Sequence, residues 1–192
     1  MSTEQKEESA RTKRLLIRPL RLDDANDVFL MRSNPEVMEF TSALPSTDIQ
    51  KSRDWVSDCI TRSNCHNFSM ELLPSASTTT SSPEENAMPA PRVIGVIGAM
   101  RTPEVGYMIN AEYWGKGYAS EALQGYMPIF FDHYSGEERH DFADALVDTT
   151  HAPSRRVLEK AGFKLLEIRE RDFKSPTQGI RDTCVYRMAR PA

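Results

Sequence analysis

The first half of the chain alternates between strand-like and helix-like patterns of apolar residues. Leu15-Leu16-Ile17-Arg18-Pro19-Leu20 is a short apolar run broken near its end by a proline, and it predicts a first strand. Ala25, Val28 and Phe29 then recur at helical spacing behind Asp23, which is placed to cap the helix that Asn34-Pro35 should end. A second helix is predicted from near Thr47 to Arg62, with Ile49, Trp55, Val56, Cys59 and Ile60 as its apolar positions. Phe68 to Leu73 has the character of a strand. From Pro74 to Pro91 the composition shifts to Ser, Thr, Pro, Ala and Glu without an aromatic residue. Such a segment buries too little apolar area to offset its ordering entropy, so a flexible insertion is expected at about 74–91.

Two β-rich runs follow, Val93 to Met100 and Glu104 to Asn110, separated by Pro103, and together they predict a central hairpin. Tyr118 to Phe131 carries Ala119, Ala122, Leu123, Tyr126, Met127 and Phe130 along one helical face, with a kink or early end expected at Pro128. Ala143 to Val147 predicts a short strand. Pro153 to Ala161 predicts a last helix with Gly162 as its stop, and two closing strands are expected near Phe163 to Ile168 and Thr183 to Met188. Strands and helices interleaved over 192 residues imply one α/β domain, expected at 12–192 behind a flexible stretch at 1–11.

Composition narrows the partners. Hydrophobic residues make up 39%, charged residues 27% and the formal charge is -4, which suits a soluble globular chain. Thinly spread Lys and Arg argue against nucleic acid. The mixed charges of the first fourteen residues give neither a secretory signal nor a membrane anchor, so a cytoplasmic protein with no membrane partner is expected. Cys59, Cys65 and Cys184 are an odd number without repeated spacing, which argues against a disulfide framework. Cys65 beside His66 has no second pair at zinc-site spacing, and no metal is expected.

Trp114-Gly115-Lys116-Gly117-Tyr118-Ala119-Ser120 follows a predicted strand and opens a predicted helix. Glycines there let the backbone turn tightly, so that successive N–H groups and the helix N-terminus can face a diphosphate. The P-loop spacing and its Lys-Ser or Lys-Thr pair are missing, which sets nucleotide binding aside. Glu104-Val105-Gly106-Tyr107 followed by Tyr113 to Ala122 resembles the central signature of the GNAT acetyltransferases. Thr12 to Pro19 with Asp23-Asp24-Ala25, and Ser154-Arg155-Arg156-Val157-Leu158-Glu159-Lys160-Ala161-Gly162-Phe163, resemble the opening and the late helix of the branch containing ribosomal-protein N-terminal acetyltransferases.

The resemblance implies an α/β (α+β) fold: a mixed, mostly antiparallel sheet that splays to admit acetyl-CoA, with helices on both faces. It further implies direct transfer of acetyl to an amine, either of a small molecule or of a protein N-terminus, by a monomer or homodimer. A chain that binds acyl-CoA without turnover is the alternative. Amides at Gly115, Gly117, Tyr118, Ala119 and Ser120 would hold the pyrophosphate, with Trp114 beside them and with Met108 and Ile109 of the preceding strand lining the cofactor. Lys116 either adds charge or is a solvated side chain. Glu104 is the implied general base, against an ordinary exposed strand residue. Leu158 stands where many relatives carry a Tyr as acid, so Ser154 is the implied acid, or else a first-turn helix residue. His151 replaces the branch's Asn and can cap the helix, touch the cofactor or act as a base. Tyr107 lines the acceptor site or packs in the core.

Overall fold

The computed structural model describes residues 8–74 and 92–192. The sequence-predicted insertion lies almost wholly outside them. The chain enters through β1 (Ala10–Arg11) and β2 (Leu15–Pro19), then α1 (Ala25–Arg32), α2 (Pro35–Met38) and α3 (Ile49–Thr61). Next come β3 (His66–Leu72), β4 (Val93–Arg101) and β5 (Glu104–Ile109), followed by α4 (Tyr118–His133), β6 (Phe142–Asp148) and α5 (Ala152–Ala161). A hairpin of β7 (Lys164–Ser175) and β8 (Gly179–Ala189) completes the chain.

One eight-stranded sheet in the order β1-β2-β3-β4-β5-β6-β8-β7 organises these elements. Every neighbouring pair is antiparallel except β5 and β6, which are parallel and share a single register pair, Glu104 with Asp144. Beyond that pair the two strands have no ladder between them, so the sheet is open in its middle. The larger core lies on the face covered by α4 and α5, where Leu123, Tyr126, Phe130 and Leu158 meet Ile17, Phe68, Ile97 and Val105. The smaller core lies on the opposite face, where Val28 and Met31 of α1 and Val56 and Cys59 of α3 pack with Leu20 and Val96. Burial of each large side chain of this kind contributes about 1.5–3 kcal/mol, so the α4 face supplies most of the apolar stabilisation.

The structure corrects several sequence expectations. Asp23 is exposed and does not cap α1; Asp24 precedes that helix, and its carboxylate is turned into the protein. There it receives two hydrogen bonds from the Arg18 guanidinium, at 2.9 and 2.8 Å, and others from Ser69 Oγ and the Arg21 amide. Asn34-Pro35 starts α2 as well as ending α1, because the Asn34 side chain accepts from the Glu36 amide and proline fits a first helical turn. Helix α4 continues through Pro128 to His133. Gln124 and Pro128 both lie on its exposed side, so the carbonyl that loses its donor faces water while Phe130 and Phe131 anchor the final turn. Strands β7 and β8 extend well beyond their predicted ends, because β7 is an exposed edge of charged residues with no buried face to create an alternating pattern. At the other edge, Ala10 and Arg11 pair with Leu16 and Ile17.

Candidate active site

The open middle of the sheet carries three groups of the predicted residues. The first is the turn between β5 and α4. The Asn110 side chain accepts from the Glu112 amide and starts a short 3-10 turn over Ala111–Tyr113. The Trp114 indole then donates to the Ile109 carbonyl at 2.8 Å and ties the turn back to β5. Gly115 and Gly117 have φ of 73° and 81°, a left-handed conformation that only glycine adopts freely. Gly117 is the residue preceding α4 and supplies no side-chain cap, so the first amides of the helix remain available at its positive end. Ser120 and Ala119 sit in that first turn. Lys116 folds back instead, with Nζ donating to the Glu112 carbonyl at 2.9 Å.

Three residues that the sequence placed only within motifs, Thr12, Arg14 and Glu121, hold this turn in position. Arg14 donates through Nε to Glu121 at 2.7 Å and through a terminal nitrogen to the Lys116 carbonyl at 2.9 Å, with its guanidinium over the Tyr118 ring. Thr12 Oγ1 and the Arg14 amide bond the other Glu121 oxygen. Burial raises the Glu121 pKa, but these hydrogen bonds outweigh it and the carboxyl is held below its ordinary value. The motif around Thr12 and the motif around Gly117 are thus two halves of one contact.

The second group spans the gap. The Tyr107 hydroxyl reaches from β5 to α5, 2.7 Å from Ser154 Oγ and 3.2 Å from the Ser154 carbonyl. Burial pushes the Tyr107 pKa up to about 12, and the Ser154 contact only partly opposes it. Tyr107 thus packs against the larger core, as one of the two sequence expectations had it, and bonds to Ser154 through its hydroxyl. Leu158, one turn further along α5, is buried in the core. Main-chain direction can also be assigned. The Asn110 amide donates to Ile94 on β4, while the Ile109 carbonyl is taken by Trp114, so alternation turns the Met108 main chain toward Val96 and that of Ile109 toward the gap. Of the two strand residues expected at the cofactor, only Ile109 presents its amide there, whereas the Met108 side chain packs with the smaller core.

Glu104 stands at the closed end of the gap, beside Asp144 of β6, and pairs with Arg101 at 3.1 Å. Glu104, Gly106 and Met108 share one face of β5, and Val105, Tyr107 and Ile109 share the other. Glu104 and Ser154 are thus on opposite sides of the strand. His151 lies at the open end, three residues beyond the end of β6 at Asp148, and precedes α5 without making a side-chain cap. Its ring stacks on Phe40, with centroids 4.1 Å apart and planes 6° from parallel. Burial lowers the His151 pKa against the pull of Asp148 and Glu39, so the imidazole is neutral at pH 7. Asp144 to Asp148 alone spans about 13 Å of strand, so His151 and Glu104 do not form one catalytic pair.

The site is thus an open α/β sheet with a glycine turn at a helix N-terminus beside the gap and a pair of hydroxyls across it. A family model described as an acetyltransferase (GNAT) domain matches residues 14–164, and the chain belongs to that family. It is 26% identical over 166 residues to p20, an uncharacterized N-acetyltransferase of Bacillus licheniformis, covering 82% of this chain and 83% of that one. A GNAT-family acetyltransferase from Bacillus anthracis superposes with a TM-score of 0.74 at 22% identity, covering 95% of this chain and 98% of its own. The spermidine N-acetyltransferase of Vibrio cholerae, solved with CoA and spermine, superposes with a TM-score of 0.71 at 14% identity, over 91% and 95% of the two chains. The mixed, mostly antiparallel and splayed sheet expected from the sequence is the fold observed. No helix among the described residues is long and apolar enough to cross a membrane.

Proposed function

We propose that this acetyltransferase uses acetyl-CoA and transfers its acetyl group directly to the primary amine of a small molecule. The observation that carries the reading is the turn at Gly115 and Gly117, whose left-handed backbone leaves the first amides of α4 for a diphosphate and whose far end is fixed by Arg14 and Glu121. A side-chain carbon built on Gly115 meets nothing within 4 Å, so ligand atoms can approach the backbone closely there. The thioester supplies the acetyl group. The Ile109 amide faces the gap in which its carbonyl oxygen gains charge. Glu104, at the far end of β5 from Ile109, takes a proton from the amine through water; the amine nitrogen bonds the acetyl carbon, the carbon–sulfur bond breaks, and Tyr107 with Ser154 returns a proton to the thiolate. The two protons then travel by separate routes on opposite sides of β5.

The small-molecule reading rests on the mouth of the gap. Phe40 lies flat on His151, and the adjacent Glu39 accepts a hydrogen bond from Gln178 in the turn between β7 and β8. Two contacts closing the same end suit a free amine better than an extended polypeptide. His151, neutral and stacked, acts here as a wall of the acceptor site. We place the protein in solution in the cytoplasm, consistent with the charge pattern of its sequence, and read its transfer as needing no metal.

Calorimetry with acetyl-CoA tests the cofactor site. The parent protein is expected to show saturable binding, and Gly117→Trp to lose it, because any L residue at that φ is strained by about 1–2 kcal/mol and the indole fills the turn. Absence of binding to the parent protein sinks the reading. An amine screen with thiol detection then separates turnover from binding alone. In it, Glu104→Gln should lower kcat/KM by about 10²-fold or more near neutral pH. That loss should shrink as pH rises toward the amine's own pKa of about 10, where free amine no longer requires a base. A loss that is the same at every pH rejects Glu104 as the base.

A further inference from the structure

Away from the transfer site, Glu8, His66 and His133 converge from three parts of the fold: the segment ahead of β1, the start of β3 and the end of α4. His66 Nε2 lies 2.7 Å from one Glu8 oxygen, and His133 Nδ1 lies 3.0 Å from the other. One ligating atom from each residue falls within 4.8 Å of the other two. We propose that these three side chains form a binding site for a divalent transition ion of zinc's kind, which clamps the segment ahead of β1 onto the α4 face of the sheet.

The hydrogen bonds around His66 fix which of its nitrogens is free. The Tyr126 hydroxyl donates its single proton to the His66 carbonyl at 3.0 Å, so its oxygen accepts from His66 Nδ1 at 3.1 Å. Nδ1 therefore carries hydrogen, which leaves Nε2 as the nitrogen that faces the Glu8 carboxylate. Either a proton on Nε2 or a bound metal ion lies between that nitrogen and the carboxylate, and the second histidine converging on the same carboxylate favours the metal. The His133 ring stacks on that of His66, 3.9 Å between centroids and 20° from parallel. Each imidazole lone pair lies in its own ring plane, so half-exposed His133 would turn out of this stack to face the ion; two imidazoles and one carboxylate then suit a zinc-like ion, with a donor behind the first imidazole as histidine ligands usually have.

Ligand atoms each about 2.0–2.1 Å from a tetrahedral zinc lie about 3.3 Å apart, so Glu8 would withdraw from His66 by roughly half an ångström while His133 turns toward the ion; both side chains are half-exposed and free to do so. A cavity of about 590 Å³, lined by all three residues and by Cys59 and Cys65, opens beside the cluster and has room for a water as fourth ligand. Sequence spacing did not show this site, because Glu8 is 58 positions from His66 and 125 from His133.

The full-length protein, stripped with chelator, is titrated with Zn²⁺ by calorimetry and by thermal unfolding. One equivalent should bind and raise Tm, while acetyl-CoA affinity stays unchanged. Glu8→Gln and His133→Asn, both at half-exposed positions that the core does not need, should each weaken Zn²⁺ binding by about 10-fold or more and abolish the Tm shift. Cys65→Ser should leave both intact. No stoichiometric binding overturns the assignment, as does binding that survives both variants or that disappears with Cys65 alone.

Discussion

Tyr107→Phe is expected to lower kcat by about 10²-fold while acetyl-CoA binds with nearly unchanged affinity, because the variant removes one hydroxyl and keeps the ring that spans the gap. Ser154→Ala should give a smaller loss. The double variant should be no worse than Tyr107→Phe, since the two hydroxyls act as one proton path. The pH profile distinguishes this from a packing defect. An ordinary tyrosine begins to lose its proton near pH 10, but burial holds Tyr107 at about 12, so parent kcat should show no alkaline fall between about pH 8 and 10. An unchanged kcat in Tyr107→Phe, or a fall centred near pH 10 in the parent enzyme that persists in Tyr107→Phe, removes Tyr107 from the proton path. Solution assays over that range need only acetyl-CoA and one accepted amine.

Asp24→Ala should be the most damaging single change to stability, costing about 3–5 kcal/mol and so a large part of what a domain of this size has. Arg18 is 3% exposed and Asp24 1% exposed, and removing the carboxylate leaves the guanidinium buried with Glu71 and the Pro19 carbonyl as its remaining partners among the described residues. Denaturant melts report the loss directly. The pair also predicts acid sensitivity. Burial raises the Asp24 pKa, but bonds from Arg18, Ser69 and the Arg21 amide outweigh it, so the folded value lies below the unfolded value of about 3.9. Its contribution is complete above that unfolded value and is lost as pH falls through the lower folded one. Asp24→Asn should therefore flatten the acid limb of the stability profile, and an unchanged limb would show that other carboxylates set it.

Neither Arg18 nor Asp24 could be assigned to a buried pair from the sequence. Arg18 interrupts a strand pattern and Asp24 stands only as the neighbour of the expected cap Asp23, since charged residues in the linear pattern default to the surface. The same default hid the site's supports. Thr12, Arg14 and Glu121 were visible as pieces of two motifs, but their contact joins residues 107 and 109 positions apart.

What the sequence determined by itself was whatever depends on neighbours a few residues away. Local pattern placed β2, α1, α3, β3, β4, β5, α4, β6 and α5, because one buried face imposes a repeat of about 2 or 3.6 and a strand buried on both faces, as β4 is, reads as an unbroken apolar run. Glycines at 115 and 117 announced a left-handed turn before a helix, since local backbone sterics alone require them. Only the tertiary structure decided what depends on distance. It set the full length of the β7–β8 hairpin, whose exposed edge has no periodic signature, and the passage of α4 through Pro128, which downstream packing supports. It also joined Tyr107 to Ser154, placed Glu104 on the other side of β5, and gathered Glu8, His66 and His133, because sheet order, and not spacing along the chain, brings those side chains together.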